Sequence, residues 1–408
     1  MCGLEFVPNR KAGLARLAEF TPRAGIPYAT GRNVDHGPGG PNSVSALSPW
    51  LRHRLILEQE VIGAVLSRHS LAAAEKFIQE VYWRAYFKGW LEQRPQIWQR
   101  YRADVESLVA ELENNTGLRT GYEKAVSGAT GIECFDHWAR ELVDTGYLHN
   151  HARMWFASIW IFTLTLPWQL GADFFYRHLV DGDAASNTLS WRWVGGLHTK
   201  GKTYLAQADN IARFTNGRFN PAGQLVDNAP ALQEQEDEAI GPLPARTEID
   251  PSAPYLLLLH EDDCHAASLA LPGRPAAIAG LAASQMRSPL PVSEAVSDFT
   301  GAALADGCRA ATSHFGAGNN AVVLQASEAG WADRLVALAH SAKARRIVTP
   351  YAPVGPVAEA LQHEGPAFDK AGLTFCRILR PYDAEAWPHA TKGFFKLKKK
   401  IPGLIERF

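Results

Sequence analysis

Cysteine is scarce in this 408-residue chain. There are five, Cys2, Cys134, Cys264, Cys308 and Cys376, and no two form a CxxC pair. That scatter excludes the usual zinc and iron–sulfur ligand spacings and a disulfide framework, so no metal is expected and a reducing cytoplasm is the expected setting. Long hydrophobic runs are also missing. The most apolar stretch, Met154 to Trp168, is about 15 residues, short of the roughly 20 that a spanning helix needs, so no membrane partner is expected. Met1 to Lys11 lack the apolar centre of a signal peptide. Net charge is −1, and no excess of one sign marks a nucleic-acid binder. The balance is uneven, however: residues 1–220 sum to +3 and residues 221–408 to −4. With 46% hydrophobic and 20% charged residues, disorder is excluded for most of the chain, and the length suits two or three globular domains. What is abundant is tryptophan, 12 residues, most of them in the first half.

Residues 1–220 read as helical. Leu55 to Ser67, Ala72 to Leu91 and Cys134 to Thr145 repeat apolar residues at 3–4 spacing. Gly37 to Pro41 interrupts the chain before Ser43. Residues 221–252 are rich in Pro, Gln, Glu and Asp, with an acidic cluster from Glu234 to Glu238, and read as a solvated linker. From 253 the pattern alternates. Tyr255–Leu259, Ala276–Leu281, Ala321–Leu324 and Arg346–Val348 are short apolar runs, separated by helical stretches such as Gly330–Ala344 and Val354–His363. This alternation predicts a parallel, doubly wound sheet. The expected fold class is therefore multidomain, α and α/β: an all-helical domain over 1–220, a linker over 221–252 and a Rossmann-like parallel α/β domain over 253–408, ending in a basic tail.

The densest polar segment is Asp181-Gly-Asp-Ala-Ala-Ser-Asn187-Thr-Leu-Ser-Trp191-Arg-Trp193. Two carboxylates, an amide and two tryptophans fall within 13 residues, and buried carboxylates need partners. Arg153 is the nearby cation. On spacing alone, a solvated acidic turn beside core tryptophans accounts for the segment equally well.

The motifs taken together are more specific. Thr145-Gly-Tyr-Leu-His-Asn150-His-Ala-Arg153-Met154, then Leu166-Pro-Trp168, then Asp181 to Trp193, resemble the flavin-binding domain of the photolyase/cryptochrome family. Ser45-Ala-Leu-Ser48-Pro-Trp50-Leu51 resembles its phosphate-binding segment. Phe77-Ile-Gln-Glu80-Val-Tyr-Trp83-Arg84 resembles one of its cavity helices, and Gly128-Ala-Thr-Gly131 with Asp136 one of its turns. The motifs fall in family order over roughly residues 20–220.

That resemblance implies FAD as cofactor. Tyr28, Ser45, Leu47 and Ser48 would hold its diphosphate, with Val44 where the family often has Thr. Phe77 and Arg84 would line the cavity, Arg153 would pair with Asp181, Asp183 would meet the flavin ring edge and Asn187 its N5. Glu80, Trp83, Asn150, Met154 and Trp193 match the substrate-cavity residues of cyclobutane-dimer photolyases, with Asn150 also counted among the flavin neighbours. A flipped-out base needs aromatic walls, and a carboxyl can hydrogen-bond its edge. Arg32, Arg52 and Arg54 are expected to contact DNA phosphates near the rim. Trp191 and Trp168 would be the inner members of an electron relay, with Trp98, Tyr101 or Tyr122 as the outer one.

The implied activity is light-driven splitting of cyclobutane pyrimidine dimers in damaged DNA by a monomeric flavoprotein lyase. The alternative is a cryptochrome-like blue-light photoreceptor without repair. The family usually places an α/β antenna domain before the flavin domain, whereas here the α/β segment follows it. It reads as a relocated or circularly permuted antenna-like domain, with a second chromophore of unknown identity, or as an unrelated module. Glu261-Asp262-Asp263 is expected to be a solvated strand end, or else a chromophore contact. The tail around Phe394, Phe395 and Lys396 to Lys400 reads as a phosphate contact or as a plain surface helix.

Overall fold

The computed structural model describes residues 5–40, 43–234, 240–245, 247, 253–317 and 321–407. Up to Phe214 its regular elements are helices, and from Tyr255 strands and helices alternate. The helix Leu71–Glu92 carries most of the site. Ser70 starts it, its hydroxyl accepting from the Ala73 amide at 3.3 Å. Phe77, Ile78, Val81, Tyr82, Ala85 and Tyr86 bury one broad face of it. Gly89 lets Trp387 lie directly on the helix backbone, since a Cβ there would stand 2.7 Å from the indole. The three helices expected from periodicity are present as Glu58–Leu66, Leu71–Glu92 and Glu133–Thr145. Among the described residues no helix is long and apolar enough to cross a membrane.

The sheet has five parallel strands, β1 (Tyr255–His260), β2 (Ala277–Ala282), β3 (Val322–Gln325), β4 (Arg346–Pro350) and β5 (Thr374–Ile378), in the order β3-β2-β1-β4-β5. In β1, Leu257 is level with Ile278 of β2 and with Val348 of β4. All six residues of β1 are buried, as befits the centre of a sheet covered on both faces. One face packs on a smaller cluster around Trp331, Leu335 and Phe368. The other, through the helix Glu294–Phe315, joins a single apolar core that continues into the helical half, from Leu257 and Phe299 to Trp191 and Phe77. The two halves therefore share a core.

Two expectations fail at this junction. Arg52 and Arg54 are not rim residues: both are 2% exposed. Arg52 pairs with Glu261 and Asp262, and Arg54 with Glu58, Asp263 and Asp383. They cannot reach DNA phosphates from there. Glu261, Asp262 and Asp263 are likewise buried rather than solvated, and their partners are arginines, including Arg287 and Arg380. The physical reason is the same for both sets: each buried charge is matched by opposite charges more than 200 residues away in sequence.

The linker expectation also changes for its described part. Leu225, Ala229, Leu232 and Leu243 pack against the helical core, the Leu232 amide donates to Gly195 O at 3.0 Å, and Glu234 pairs with Arg192 and Arg100. It is a strap without regular secondary structure. The rest of the acidic cluster, 235–238, lies outside the described residues, as do Cys2 and Pro41. The other four cysteines are buried and free.

Candidate flavin and substrate site

The loop between the helices Trp168–His178 and Ala184–Val194 holds Asp181 and Asp183. Asp181 accepts from Arg153 Nη2 at 2.9 Å, the pairing expected from the sequence. Arg153 is fixed in turn by Leu148 O at 3.0 Å and lies over the Tyr147 ring. Burial opposes ionisation of Asp181, but the Arg153 guanidinium outweighs it and holds the carboxyl below the usual range. The hydroxyl of Ser48, first residue of the short helix Ser48–Arg52, adds to that field.

Asp183 caps the helix Ala184–Val194 by accepting from the Ser186 amide at 2.8 Å. Its other oxygen lies 3.7 Å from Lys88 Nζ and 3.8 Å from Arg84 Nη1. Against the cost of burial, Lys88, Arg84 and Arg52 together hold Asp183 far below the ordinary carboxylate range. Lys88, 3% exposed in its side chain, was not singled out in the sequence. Its position four residues after Arg84 on one helix face was the available signal. Asn187 donates to Ala172 O at 2.8 Å, which fixes its amide on the neighbouring helix.

The remaining flavin-side residues lie on adjoining elements. Tyr28 and Phe77 meet edge to face at 5.2 Å. Leu47 is fully buried, and Ser45 Oγ accepts from the Leu47 amide across Ala46, which holds φ +51°. Strain in a non-glycine residue at such a corner is common where backbone geometry serves a ligand. Among the described residues, two buried polar atoms here have no hydrogen-bond partner, Asp181 Oδ1 and Arg84 Nη1, the latter facing Asp183 at ion-pair distance only. Buried polar groups are seldom left so, and a polar cofactor bound here would supply the missing partners. The donor set fits FAD in that respect.

The substrate set is grouped less tightly. Glu80 and Trp83 share one turn of the helix Leu71–Glu92. Asn150 and Met154 share a face of the helix Asn150–Ser158, with Nδ2 3.9 Å from Sδ. Trp193 sits at the end of the helix Ala184–Val194, which packs on both of these helices. Arg32 is bound to Glu80 rather than free for phosphate. Desolvation raises the Glu80 carboxyl against the opposing pull of Arg32. The next residue, Asn33, accepts from His151 Nδ1 at 2.9 Å. His151 contacts Tyr204, whose ring stacks on Trp193 at 5.5 Å. Trp83 does not present two open faces: Phe394 of the tail stacks on it at 3.9 Å between centroids and 12° between planes. Phe394 is a further site residue that its basic surroundings concealed in the sequence.

The aromatic path also differs from expectation. Among the described residues, the ring contacts of Trp191 are with Phe156, Trp160 and Phe175, Trp160 lying 6.1 Å away. Gly171 makes this possible, because a Cβ there would fall 2.3 Å from the Trp191 ring. Trp168 stacks instead on Tyr101 at 5.7 Å, and Tyr101 is 5.4 Å from Trp98. Tyr122 is 6.2 Å from Trp160. Of the three candidates for the outer member, Tyr101 adjoins Trp168 and Tyr122 adjoins Trp160, while Trp98 meets Trp168 through Tyr101.

This combination of a helical cradle, two paired carboxylates and a buried aromatic path defines a cofactor-binding domain. Residues 77–252 match the family described as FAD binding domain of DNA photolyase. These 176 residues, most of them in the helical half, are similar to the FAD-binding domain of DNA photolyases. Deoxyribodipyrimidine photo-lyase of Streptomyces griseus is 30% identical over 241 residues, covering 57% of this chain and 50% of that protein. The Synechococcus enzyme of the same name is 31% identical over 229 residues, covering 52% and 44%. The cryptochrome structure from Synechocystis is similar at 26% identity and TM-score 0.44, covering 52% of this chain and 44% of that one. The chain spans about half the length of the curated relatives it matches.

Proposed function

We propose that the chain is a light-driven DNA repair flavoprotein that splits cyclobutane pyrimidine dimers. The observation that carries this reading is the helix Leu71–Glu92. Phe77, Arg84 and Lys88, at i, i+7 and i+11, serve the flavin side, while Glu80 and Trp83 serve the adjoining substrate side. One rigid element thus sets the distance between cofactor and lesion. Bound FAD, reduced and excited by light, supplies the electron. Arg153 with Asp181, and Lys88 and Arg84 with Asp183, hold and orient the cofactor. Trp83 and Trp193 wall the flipped dimer and keep water away, and Met154 gives an apolar contact. Glu80, whose carboxyl burial raises against the pull of Arg32, would exchange that partner for the dimer, donate to a base carbonyl and stabilise the dimer radical anion while two carbon–carbon bonds break. The electron then returns to its donor, so the reaction is redox neutral.

With Arg52 and Arg54 excluded, the exposed lysines beside Phe394, Lys392, Lys396, Lys399 and Lys400, are the proposed phosphate contacts. The proposed modules remain 1–220, 221–252 and 253–408, acting on damaged DNA as a monomer. A second, antenna chromophore has no assigned residues. The reading is tested by illuminating the reduced protein with a dimer-containing oligonucleotide and following recovery of thymine absorbance. Recovery is expected, and none with FAD bound and reduced sinks the repair claim. Glu80→Ala should lower turnover about 10²-fold with the flavin spectrum intact.

The Phe394 ring on Trp83 favours a second reading, a cryptochrome-like photoreceptor in which the stacking face is closed. Phe394→Ala separates the two. In a repair enzyme it should tighten binding of the dimer oligonucleotide several-fold, since aromatic–base stacking is worth about 1–3 kcal/mol. In a photoreceptor it should change no DNA affinity. Photoreduction of bound FAD should slow in Trp191→Phe. Comparing Trp160→Phe with Trp168→Phe then shows which branch carries the electron, and unchanged rates in all three remove the relay.

A further inference from the structure

The carboxyl end of β1 reaches into the back of the flavin loop. Glu261 Oε1 lies 3.3 Å from Arg52 Nη2 and 3.5 Å from Arg287 Nη2, and its Oε2 accepts from the Ala283 amide, just past β2, at 2.7 Å. Asp262 pairs with the other amino group of Arg52. These guanidiniums also donate to backbone carbonyls of the loop. Arg52 Nε donates to Gly182 O at 2.7 Å, and Arg287 Nη1 to Leu179 O at 3.2 Å. Arg287 also lies over the Tyr176 ring at 5.0 Å, and it comes so near the loop that a Cβ on Gly182 would stand 3.0 Å from it. Between and beside these anchored carbonyls sit Asp181 and Asp183. The side chains of Arg52, Arg287 and Glu261 are 3%, 0% and 1% exposed, so water substitutes for none of these contacts.

A buried guanidinium keeps its place only while its charge is matched, and its planar fork then fixes the direction of every N–H it offers. The charges are matched from the α/β half, and the N–H groups are spent on the flavin loop. We propose that Glu261 and Asp262 are positioning residues of the cofactor site: through Arg52 and Arg287 they set the Asp181–Gly182–Asp183 backbone, which makes the α/β half a working wall of the flavin site rather than a detachable light-gathering module. The proposal rests on the reading of that loop as FAD-binding.

The test uses the full chain and compares Glu261→Gln with Asp383→Asn. Asp383 is equally buried in the same junction but pairs with Arg54, whose side-chain partners among the described residues are Glu58, Asp263 and Asp383 and not the loop. Both variants should lose thermal stability. Glu261→Gln should in addition weaken FAD binding about tenfold, by fluorescence titration, and shift the visible flavin band, while Asp383→Asn leaves both unchanged. FAD affinity and spectrum unaltered in Glu261→Gln overturn the proposal, as does loss of FAD in both variants in proportion to their loss of stability. If Glu261→Gln does not fold, Glu261→Asp keeps the charge with a shorter reach, and an unshifted flavin band in it counts against the linkage. A wild-type chain that binds no FAD overturns the flavin reading itself, whereas wild-type binding with an indifferent Glu261→Gln overturns only the linkage.

Discussion

Arg54→Met is expected to cost on the order of 3–5 kcal/mol of stability, because it leaves buried carboxylates uncompensated. Arg54 Nη2 lies 2.7–2.8 Å from both oxygens of Asp383, and its other nitrogens lie 3.2 Å from Asp263 and 3.4 Å from Glu58. None of these side chains is more than 4% exposed. Without Arg54, Arg380 still serves Asp263, at about 2.5 Å, but Asp383 and Glu58 lose the guanidinium that pairs with both, and Asp383 keeps the longer-range pull of Lys88. A cost of this size is a large share of the total stability of a protein.

The pH dependence of the same variant gives a second reading. In the wild type, Arg380 and Arg54 outweigh burial and hold Asp263 far below the ordinary carboxylate range. A depressed carboxylate contributes stability above its unfolded value, near pH 4, and loses it as the pH falls. Burial already raises Asp383 against the pull of Arg54, and in Arg54→Met it loses that pull and rises further. Its penalty is largest at neutral pH and shrinks as the pH drops towards about 4, once it takes up a proton. Denaturant unfolding should therefore show the gap between variant and wild type closing from about pH 8 to pH 5. A variant within about 1 kcal/mol of wild type at neutral pH would mean that water enters the junction and screens these charges.

Much of this architecture was legible in the sequence because it is written locally. Apolar spacing of 3–4 marked the helix Leu71–Glu92 almost to the residue, and short apolar runs marked β1, β2, β3 and β4. β5 escaped because the exposed Thr374 and Arg377, one on each face of this edge strand, break the apolar run. The helix Glu294–Phe315 escaped because its core face is built largely of small residues such as Ala303, Gly307 and Ala311. The residues proposed for the flavin side sit in local motifs, and the Arg153–Asp181 pair, which the structure forms, lies only 28 residues apart.

What the sequence could not show is pairing at long range. Arg52 and Arg54 look like any exposed arginines near a helix end, and Glu261-Asp262-Asp263 like any polar strand end. Each is the reason the other is buried, across 209 residues. The stack of Phe394 on Trp83 spans an even longer loop and sits within a lysine-rich segment that locally signals only surface. The ring contacts of Trp191 turned on packing rather than motif: a missing Cβ at Gly171 brings Trp160 and Trp191 together.

Asp183→Asn should weaken flavin binding about 10²-fold while leaving the helix cap in place. Asparagine keeps an oxygen for the Ser186 amide, and Asn and Asp cap helices about equally well, so the helix Ala184–Val194 should persist. What disappears is the negative charge that faces Lys88 at 3.7 Å and Arg84 at 3.8 Å. Loss of one partner from a buried charge pair costs about 3 kcal/mol or more, and every 1.4 kcal/mol is tenfold in affinity, so the FAD dissociation constant should rise by about 10². The wild type should show no dependence on Asp181 or Asp183 between about pH 5 and 8, because both carboxyls are held below the ordinary range and remain ionised throughout. Fluorescence titration of apoprotein with FAD reads both effects, and far-ultraviolet circular dichroism checks that the helices remain. Wild-type affinity in Asp183→Asn, with the helices intact, would make Asp183 a helix cap and nothing more. The cofactor would then have to be held from the Ser45–Ser48 corner and the Arg153–Asp181 pair alone.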